Sequence, residues 1–236
     1  TGAGWSIVLR LVDEGAAVVV ADVSDVAGET AVAAISERGG EGSFVRTDVR
    51  VDGDVEHMVA FAEERHGGVD ILVNNAGGWG PTANYPYASP LQWSSTLDLN
   101  LRAPMLATQL VLAPMRRRGG GAVVNVSSTG GLGCEPYESP EYGAAKAGLI
   151  RFTTSLAYAR EDTGVRVNCV VPDWIATDRA LGELAAMTPE ARAAEAPLVD
   201  PDELAEAVVE LVGDDSLAGR VVLLPRGEPR RFLEAL

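Results

Sequence analysis

The chain has 236 residues, of which 47% are apolar and 22% are charged, a composition typical of a soluble globular protein with a sizeable core. Its formal net charge of −15 repels nucleic-acid phosphates and anionic lipid, so we expect neither as a partner. The cysteines, Cys134 and Cys169, form no CxxC pair or Cys/His cluster, so we expect no disulfide framework and no metal site. No apolar run approaches the roughly 18 residues of a membrane span and no leader opens the chain, which favours a cytoplasmic protein.

Short β-branched runs alternate along the chain with amphipathic or alanine-rich stretches. The β-branched runs predict strands over 16–21, 42–46, 69–73, 122–126, 165–170 and 220–224. The stretches between them predict helices over 7–14, 25–38, 55–65, 90–118, 141–161 and 201–212. Strands that are apolar throughout are buried on both faces, which is typical of a parallel sheet covered by helices. The alternation therefore predicts an α/β fold with a Rossmann-like, doubly wound parallel sheet in three layers.

Two segments interrupt this alternation, and each follows a predicted strand. Residues 78–89 are rich in Pro, Gly and Tyr and predict a loop, whereas residues 173–199 predict one or two short helices. In open α/β sheets the ligand crevice lies at the carboxyl ends of the strands. We therefore expect both segments to cover a ligand site.

The chain opens with Thr-Gly-Ala-Gly and continues into a predicted helix. A glycine turn before a helix presents free backbone N–H groups and the positive end of the helix dipole to a phosphate. The usual dinucleotide fingerprint has three glycines, and only Gly2 and Gly4 are available here, so an ordinary turn is an equal alternative. Asp22, after the next strand, can accept hydrogen bonds from both adenosine ribose hydroxyls and repels a 2′-phosphate, unless it merely caps the following helix.

Tyr142 and Lys146 are four residues apart, which places them on one face of a predicted helix. A free tyrosine has a pKa near 10, too high for efficient acid–base catalysis at neutral pH, and a nearby cation lowers it. We therefore expect Lys146 to lower the pKa of Tyr142 while a nearby serine hydroxyl holds a substrate oxygen. This pairing predicts proton transfer during the interconversion of an alcohol and a carbonyl.

Motifs spread over nearly the whole chain resemble the short-chain dehydrogenase/reductase family and occur in the family's order. They are TGAG at the start, Asp22, TDV (47–49), NNAG (74–77), LDLN (97–100), NVSS (125–128), YGAAK (142–146) and VRVNCVVPDWIATD (165–178). The resemblance implies a single dinucleotide-binding catalytic domain over 1–236, with a substrate-covering insertion at about 173–199. It also implies an NAD(P)-dependent oxidoreductase of a small alcohol or ketone, with NAD favoured by Asp22 and NADP not excluded.

The resemblance implies a role for each matching residue. Tyr142 is then the general acid/base, and Lys146 lowers its pKa and holds the nicotinamide ribose. Ser128 orients the substrate carbonyl, with Ser127 as the less expected alternative, and Asn100 holds a water that links Lys146 to solvent. The implied cofactor-binding set is Gly2, Gly4, Asp22, Asp48, Val49, Asn75, Ala76, Gly77, Tyr142, Lys146, Pro172, Ile175 and Thr177. Aromatic candidates for the substrate pocket are Trp79, Tyr85, Tyr87, Trp93, Tyr137 and Trp174.

The resemblance further implies a homodimer or homotetramer built on the helices predicted at 90–118 and 141–161.

Three departures from the family pattern remain. In the strand order 3-2-1-4-5-6 the first strand is the centre of the sheet, so we expect that strand and part of the glycine loop to be missing from the sequence. Asp173 replaces a frequent glycine, with an open role. The shortened loop supports an alternative, a catalytically silent relative that acts as a binding or regulatory protein, whereas the complete Asn/Ser/Tyr/Lys set argues against it.

Overall fold

The computed structural model describes residues 2–78, 83–133 and 137–234. Its strands are β1 (Val18–Asp22), β2 (Gly42–Arg46), β3 (Ile71–Asn74), β4 (Gly121–Val126), β5 (Val165–Pro172), β6 (Val221–Leu224) and β7 (Arg231–Phe232). Its α-helices are α1 (Ala3–Asp13), α2 (Asp25–Glu37), α3 (Asp52–His66), α4 (Pro90–Leu97), α5 (Ala103–Arg117), α6 (Pro140–Ser155), α7 (Ala159–Thr163), α8 (Asp178–Ala186), α9 (Pro189–Ala194) and α10 (Pro201–Gly213). The predicted alternation of strands and helices is thus confirmed.

The main sheet has the order β3-β4-β5-β6-β7, with parallel pairing up to β6. The two-residue strand β7 was not predicted, and it pairs antiparallel with β6 at the edge of the sheet. Every residue of β5 is buried, as expected for a parallel strand covered by helices on both faces. The central positions of β4, β5 and β6 pack against α10, which closes one layer of the core around Leu204, Val208 and Leu211.

The sheet is divided where the sequence predicts a missing strand. β1 pairs in parallel with β2 alone, and in the described part of the chain no strand lies between β1 and β3. The strands on either side of this gap, β1 and β3, line one cavity of about 2230 Å³. Apolar side chains of α1 and α3, such as Leu11 and Val55, also line it. The cavity continues to the carboxyl ends of the strands, so the gap and the predicted ligand crevice form one space.

Two of the predicted helices are not regular along their length. The helix predicted at 90–118 contains a π-helical turn (Asp98–Arg102) between α4 and α5. There the Asn100 side chain donates a hydrogen bond to the Thr96 carbonyl at 2.9 Å and thus enters the helical hydrogen-bond ladder. The helix predicted at 141–161 is divided into α6 and α7 by a turn after Ser155. In the described residues, none of the helices has the length and apolarity to cross a bilayer.

Candidate active site

Tyr142 and Lys146 lie on the first turns of α6, at the carboxyl edge of β4, and both line the cavity. Pro140 opens this helix, where its missing N–H and fixed φ are favourable. Tyr142 is 7% exposed and Lys146 is 3% exposed. The Lys146 ammonium donates a hydrogen bond to the Val126 carbonyl at 2.9 Å and lies 5.6 Å from the centroid of the Tyr142 ring. The predicted pair is therefore brought together at one wall of the crevice.

The two serines that follow β4 have different environments. The Ser127 hydroxyl is buried and donates to the Lys146 carbonyl at 2.8 Å, so it fixes α6 against the strand. Ser128 lines the cavity, accepts a hydrogen bond from the Gly130 N–H at 3.2 Å and hydrogen-bonds to the Tyr142 side chain. Both serines line the cavity, but the Ser127 hydroxyl donates to the Lys146 carbonyl, so the choice of Ser128 as the substrate contact stays a prediction that this geometry favours.

Asn100 is buried behind the lysine and contacts the loop that follows β3. Its Oδ1 accepts the Gly78 N–H at 2.9 Å, and its Nδ2 donates to the Gly78 carbonyl at 2.7 Å. A Cβ at Gly77 would lie 2.9 Å from both Asn100 Oδ1 and Lys146 Nζ, so this position requires glycine. Asn100 therefore fixes the backbone beside Lys146, a function that the sequence did not indicate, and its proposed water contact must use the remaining lone pair of Oδ1.

Burial dominates the electrostatics of the pair. Burial raises the pKa of Tyr142, and the hydrogen bond from Ser128 and the charge of Arg179 offset this rise only in part. Burial lowers the pKa of Lys146 to about 8. The expectation that Lys146 lowers the pKa of Tyr142 stays a prediction, since burial sets the net direction of the shift and the lysine ammonium is directed to the Val126 carbonyl.

The residues at the amino end of α1 fit a dinucleotide phosphate. Gly2, at φ 58°, precedes the helix, and no side chain caps the first N–H groups of α1, which face the cavity. A Cβ at Gly4 would lie 2.7 Å from Asn75 Nδ2, so the backbone of this turn passes directly beside the end of β3. A Cβ at Gly2 would lie 3.5 Å from Thr177 Cγ2. Residues predicted to bind the cofactor thus meet here from three distant segments.

Asp22 ends β1 at the cavity wall. Its Oδ1 accepts the Ser24 N–H at 2.9 Å, while Ser24 itself caps α2 by accepting the Ala27 N–H. The alternative that Asp22 caps this helix is therefore wrong. Arg46, opposite Asp22 in the register of β1 and β2, has its guanidinium 3.8 Å from the Asp25 carboxylate.

The other predicted cofactor residues line the same cavity. They are Asp48, Val49, Asn75, Ala76, Gly77, Pro172, Ile175 and Thr177. The Asp48 carboxylate is bound by Arg50 through Nη2 at 2.6 Å and Nε at 2.9 Å, and this hydrogen bonding lowers the pKa of Asp48. The Thr177 hydroxyl caps α8 by accepting the Ala180 N–H. The same residue lines the cavity, so it can cap the helix and face a cofactor at once.

Some residues at the site were not predicted, and some predicted aromatic residues lie elsewhere. Arg179 and Arg226 line the cavity and were not predicted. The one signal in the sequence was the position of Arg226, which lies two residues after the end of β6. Tyr137 also lines the cavity and stacks on Tyr142, with ring centroids 6.1 Å apart. Trp174 lies in the same wall, whereas Tyr85 and Tyr87 are exposed, Trp93 is outside the cavity lining and Trp79 is outside the described residues.

Cys169 does not line the cavity. Cys169 is buried in β5 with a free thiol, and burial raises its pKa to about 12. Cys134 lies outside the described residues. Within residues 2–78, 83–133 and 137–234, no three His, Cys, Asp or Glu side chains are grouped so that they could hold a metal ion.

Comparisons with known proteins agree with this geometry. The family model described as enoyl-(acyl carrier protein) reductase matches residues 1–220. The human dehydrogenase/reductase SDR family member 4 is 35% identical over 250 residues, covering 98% of this chain and 85% of that protein. The cis-4-hydroxycyclohexanecarboxylate dehydrogenase of Sinomonas cyclohexanicum is 35% identical over 218 residues, covering 91% of this chain and 86% of that protein.

A solved structure extends the agreement to the fold. The crystal structure of a short-chain dehydrogenase/reductase from Burkholderia xenovorans superposes with a TM-score of 0.85 at 32% identity, covering 94% of this chain and 88% of that one. Together with the assembled Ser128, Tyr142 and Lys146 wall, these matches identify both the family and the reaction class. The chain belongs to the short-chain dehydrogenase/reductase family and is an NAD(P)-dependent oxidoreductase of alcohol and carbonyl substrates.

Proposed function

We propose that the protein interconverts a neutral secondary alcohol and the corresponding ketone, with NAD as the preferred cofactor and Tyr142 as the general acid/base. The observation that carries this proposal is the wall formed by Ser128, Tyr142 and Lys146 at the carboxyl edge of β4. It contains two hydroxyls that a substrate oxygen can contact together, and a cation directly behind them. The glycine turn at α1 lies in the same cavity, where it suits the cofactor phosphates.

Ketone reduction needs a hydride at the carbonyl carbon and a proton at its oxygen. Held beside Tyr142 and Lys146, a nicotinamide would supply the hydride, and in its oxidised form its positive charge would favour the tyrosine phenolate. Ser128 donates a hydrogen bond to the carbonyl oxygen and holds it beside the Tyr142 hydroxyl, which donates the proton. Tyr142 then regains a proton from solvent along the Lys146 and Asn100 side of the cavity. Alcohol oxidation uses the same contacts in reverse, with Tyr142 as the base.

Pro172, Ile175 and Thr177 would line the nicotinamide side, and Asp48, Val49, Asn75 and Ala76 the adenosine side. For the cofactor to bind, the Lys146 ammonium would add a hydrogen bond to the ribose beside its contact with the Val126 carbonyl. Its three donor hydrogens allow it to keep the carbonyl and accept a new partner at once. This arrangement is our reason for giving Lys146 a role in cofactor binding in addition to its effect on the tyrosine.

We infer the preference for NAD from the charges around Asp22. Asp22 lines the cavity, where its carboxylate would accept the adenosine ribose hydroxyls, whereas Arg46 and Arg50 pair with Asp25 and Asp48. A 2′-phosphate would meet the Asp22 carboxylate without an arginine directed towards it. NADP therefore binds with a penalty in this proposal.

Replacing Asp22 with Asn is expected to lower the preference for NADH over NADPH, measured as the ratio of kcat/KM, by about tenfold or more. One charge-assisted hydrogen bond contributes about 1.5–3 kcal/mol, and about 1.4 kcal/mol is tenfold. Glu29→Gln is the matched control, because it neutralises an exposed carboxylate on α2 and leaves the Arg46–Asp25 pair intact. An Asp22→Asn ratio equal to that of the control would contradict the assignment.

The substrate class follows from the other wall of the cavity. Tyr137 and Trp174 give it aromatic surface, while its carboxylates, Glu138, Asp173, Asp178, Glu183 and Glu195, outnumber Arg179 and Arg226. This charge balance disfavours anionic substrates and favours neutral ring ketones. A relative named for a hydroxycyclohexanecarboxylate makes substituted cyclohexanones and cyclohexanols suitable first members of a substrate panel.

The experiment that tests the function is a panel of neutral and carboxylated cyclohexanones and steroid ketones, assayed with NADH and NADPH. We expect turnover of neutral members with NADH in preference to NADPH. A change in NADH fluorescence on mixing separates two failures. Fluorescence change without any turnover would favour the silent binding protein, and no change would show that this chain does not form the cofactor site.

We also propose that the chain forms a homodimer or homotetramer through α4, α5 and α6 and acts in the cytoplasm. Leu91 and Met105 are exposed on α4 and α5, where a partner subunit would cover them. The charge of −15 keeps the remaining surface soluble.

A further inference from the structure

The segment that covers the substrate half of the cavity is fixed to the sheet at its base. We call residues 173–199 the cover segment; it begins after β5 and contains α8 and α9. Its two ends pair with each other, since the Ala176 N–H donates to the Val199 carbonyl and the Val199 N–H donates to the Trp174 carbonyl, both at 2.9 Å. The ends are therefore fixed, and the position of the two helices depends on contacts farther along the segment.

The two helices of the cover segment are joined to each other by one side chain. Arg192, on α9, donates to the carbonyls at the end of α8, with Nε 3.0 Å from Leu184 O and Nη2 2.6 Å from Ala185 O. These carbonyls belong to the last turn of α8, where Leu184 O also accepts the Met187 N–H at 3.3 Å, so the arginine adds a side-chain cap to α8 and links it to α9. We therefore treat α8 and α9 as one body.

Arg226, which lies outside the cover segment, holds α8 and α9 by a contact at the carboxyl end of α9. Arg226 follows β6, and its Nη1 donates to the Glu195 carboxylate at 2.5 Å, at the end of α9. Its Nε lies 3.5 Å from the Asp173 carboxylate, at the start of the cover segment, and its guanidinium lies 5.9 Å from the Trp174 ring. Because the Arg226 side chain is only 23% exposed, these contacts are less screened than surface ion pairs.

We propose that Arg226 is a positioning residue, which binds Glu195 and Asp173 at once and so holds the cover segment over the substrate half of the cavity. Asp173, whose role the sequence left open, is then the inner partner of this arginine. The proposal deepens the proposed function by naming what sets the shape of the substrate pocket. It rests on the proposed function for its kinetic readout alone.

The cover segment reaches the reacting groups through α8. Arg179, in the first turn of α8, lines the cavity and its charge acts on the Tyr142 hydroxyl. Its Nε also donates to Glu183 at 2.7 Å, one turn along α8. When the far end of the segment is released, both side chains move relative to Tyr142, and the wall facing the substrate changes. The cover-segment residues assigned to the cofactor side, Ile175 and Thr177, lie beside the paired ends of the segment, so we expect the cofactor half of the cavity to keep its shape.

The test compares Arg226→Gln with Arg231→Gln. Arg231 is a matched control, because it lies five residues later and forms an ion pair with Glu228 in which its side chain is 54% exposed. For Arg226→Gln we expect the KM of the ketone to rise about tenfold, the effect of losing one charge-assisted hydrogen bond, with kcat within about threefold and NADH affinity unchanged. Native-state trypsin should cleave after Arg179 or Arg192 about tenfold faster than in the control.

Glu195→Gln removes the same ion pair with Arg226 from the side of the cover segment. It should therefore reproduce both the higher KM and the faster tryptic cleavage. The double variant should be no worse than either single variant, because both remove one interaction. Arg226→Lys, which cannot bind two carboxylates in the same plane, should recover only part of the tryptic resistance. If Arg226→Gln and Glu195→Gln match Arg231→Gln in both KM and cleavage rate, the proposal is overturned. Cleavage needs no substrate, so a lack of turnover in the wild type would refute the proposed function and leave this test intact.

Discussion

Replacement of Tyr142 with Phe is expected to lower kcat for ketone reduction by about 10²–10⁴-fold, the usual contribution of a general acid. The substitution removes one hydroxyl and keeps the ring that stacks against Tyr137. The affinity for NADH, measured by fluorescence, should change little, because the cofactor contacts of the glycine turn and Asp22 remain. Steady-state kinetics with each ketone that the wild type reduces provides the measurement.

Tyr158→Phe is the matched control for this experiment. It removes the same hydroxyl from an exposed tyrosine beyond the end of α6. The control should keep wild-type kinetics. Full activity of Tyr142→Phe on every substrate would show that another group transfers the proton, and Ser128 would be the first to examine because it faces the same space.

Replacement of Lys146 with Met is expected to abolish most activity and yet to stabilise the folded protein at pH 7. The lysine ammonium is buried, and this burial lowers its pKa from the ordinary 10.5 to about 8. This shift corresponds to roughly 3 kcal/mol of destabilisation while the lysine is charged, at about 1.4 kcal/mol per pKa unit. Methionine fills a similar volume without a charge, and the lost hydrogen bond to Val126 offsets about 1 kcal/mol of the gain.

The pH dependence of this effect has a definite sign. Below pH 8 both the folded and the unfolded wild type carry the charged lysine, so the penalty is fully present. Between about pH 8 and 10.5 the folded state loses this proton while the unfolded state keeps it, and the wild type gains stability as the pH rises. The difference in Tm between Lys146→Met and wild type should therefore shrink from pH 7 to pH 10.

Lys146 is the only lysine among the 19 Lys and Arg residues of the chain, so no second lysine contributes to this comparison. Thermal unfolding of both proteins at matched ionic strength provides the measurement. A variant that is less stable than wild type at pH 7 would contradict the proposed burial penalty. A variant that retains wild-type kcat would contradict the catalytic assignment instead, so the two parts of the prediction fail separately.

Local patterns were sufficient to predict most of the sheet and the position of the catalytic pair. Buried parallel strands such as β5 are apolar throughout, and helical spacing alone places Tyr142 and Lys146 on one face. The choice between Ser127 and Ser128 could not be made in this way. It depends on which hydroxyl meets the Lys146 carbonyl, and that contact joins a strand end to a helix that begins 13 residues later.

Features created by tertiary contacts were missed. Within the π-helical turn Asn100 binds the backbone of Gly78, which is 22 residues away in sequence and follows another element, so local patterns do not report this contact. Burial, which the local sequence does not report, raises the pKa of Tyr142 where a neighbouring lysine suggested that it would be lowered. Arg226 likewise acquires its partners only when the ends of β5, α9 and β6 meet.

The division of the sheet has a consequence for the order in which parts of this chain open. Amides of β4 and β5 bond to strands on both sides, whereas β1 pairs with β2 alone and its other edge faces the cavity. The unit formed by β1, α2 and β2 should therefore open by itself, at a lower free energy than global unfolding. In native-state hydrogen–deuterium exchange its amides should form one early group with a shared dependence on denaturant, separate from the late group of β4 and β5.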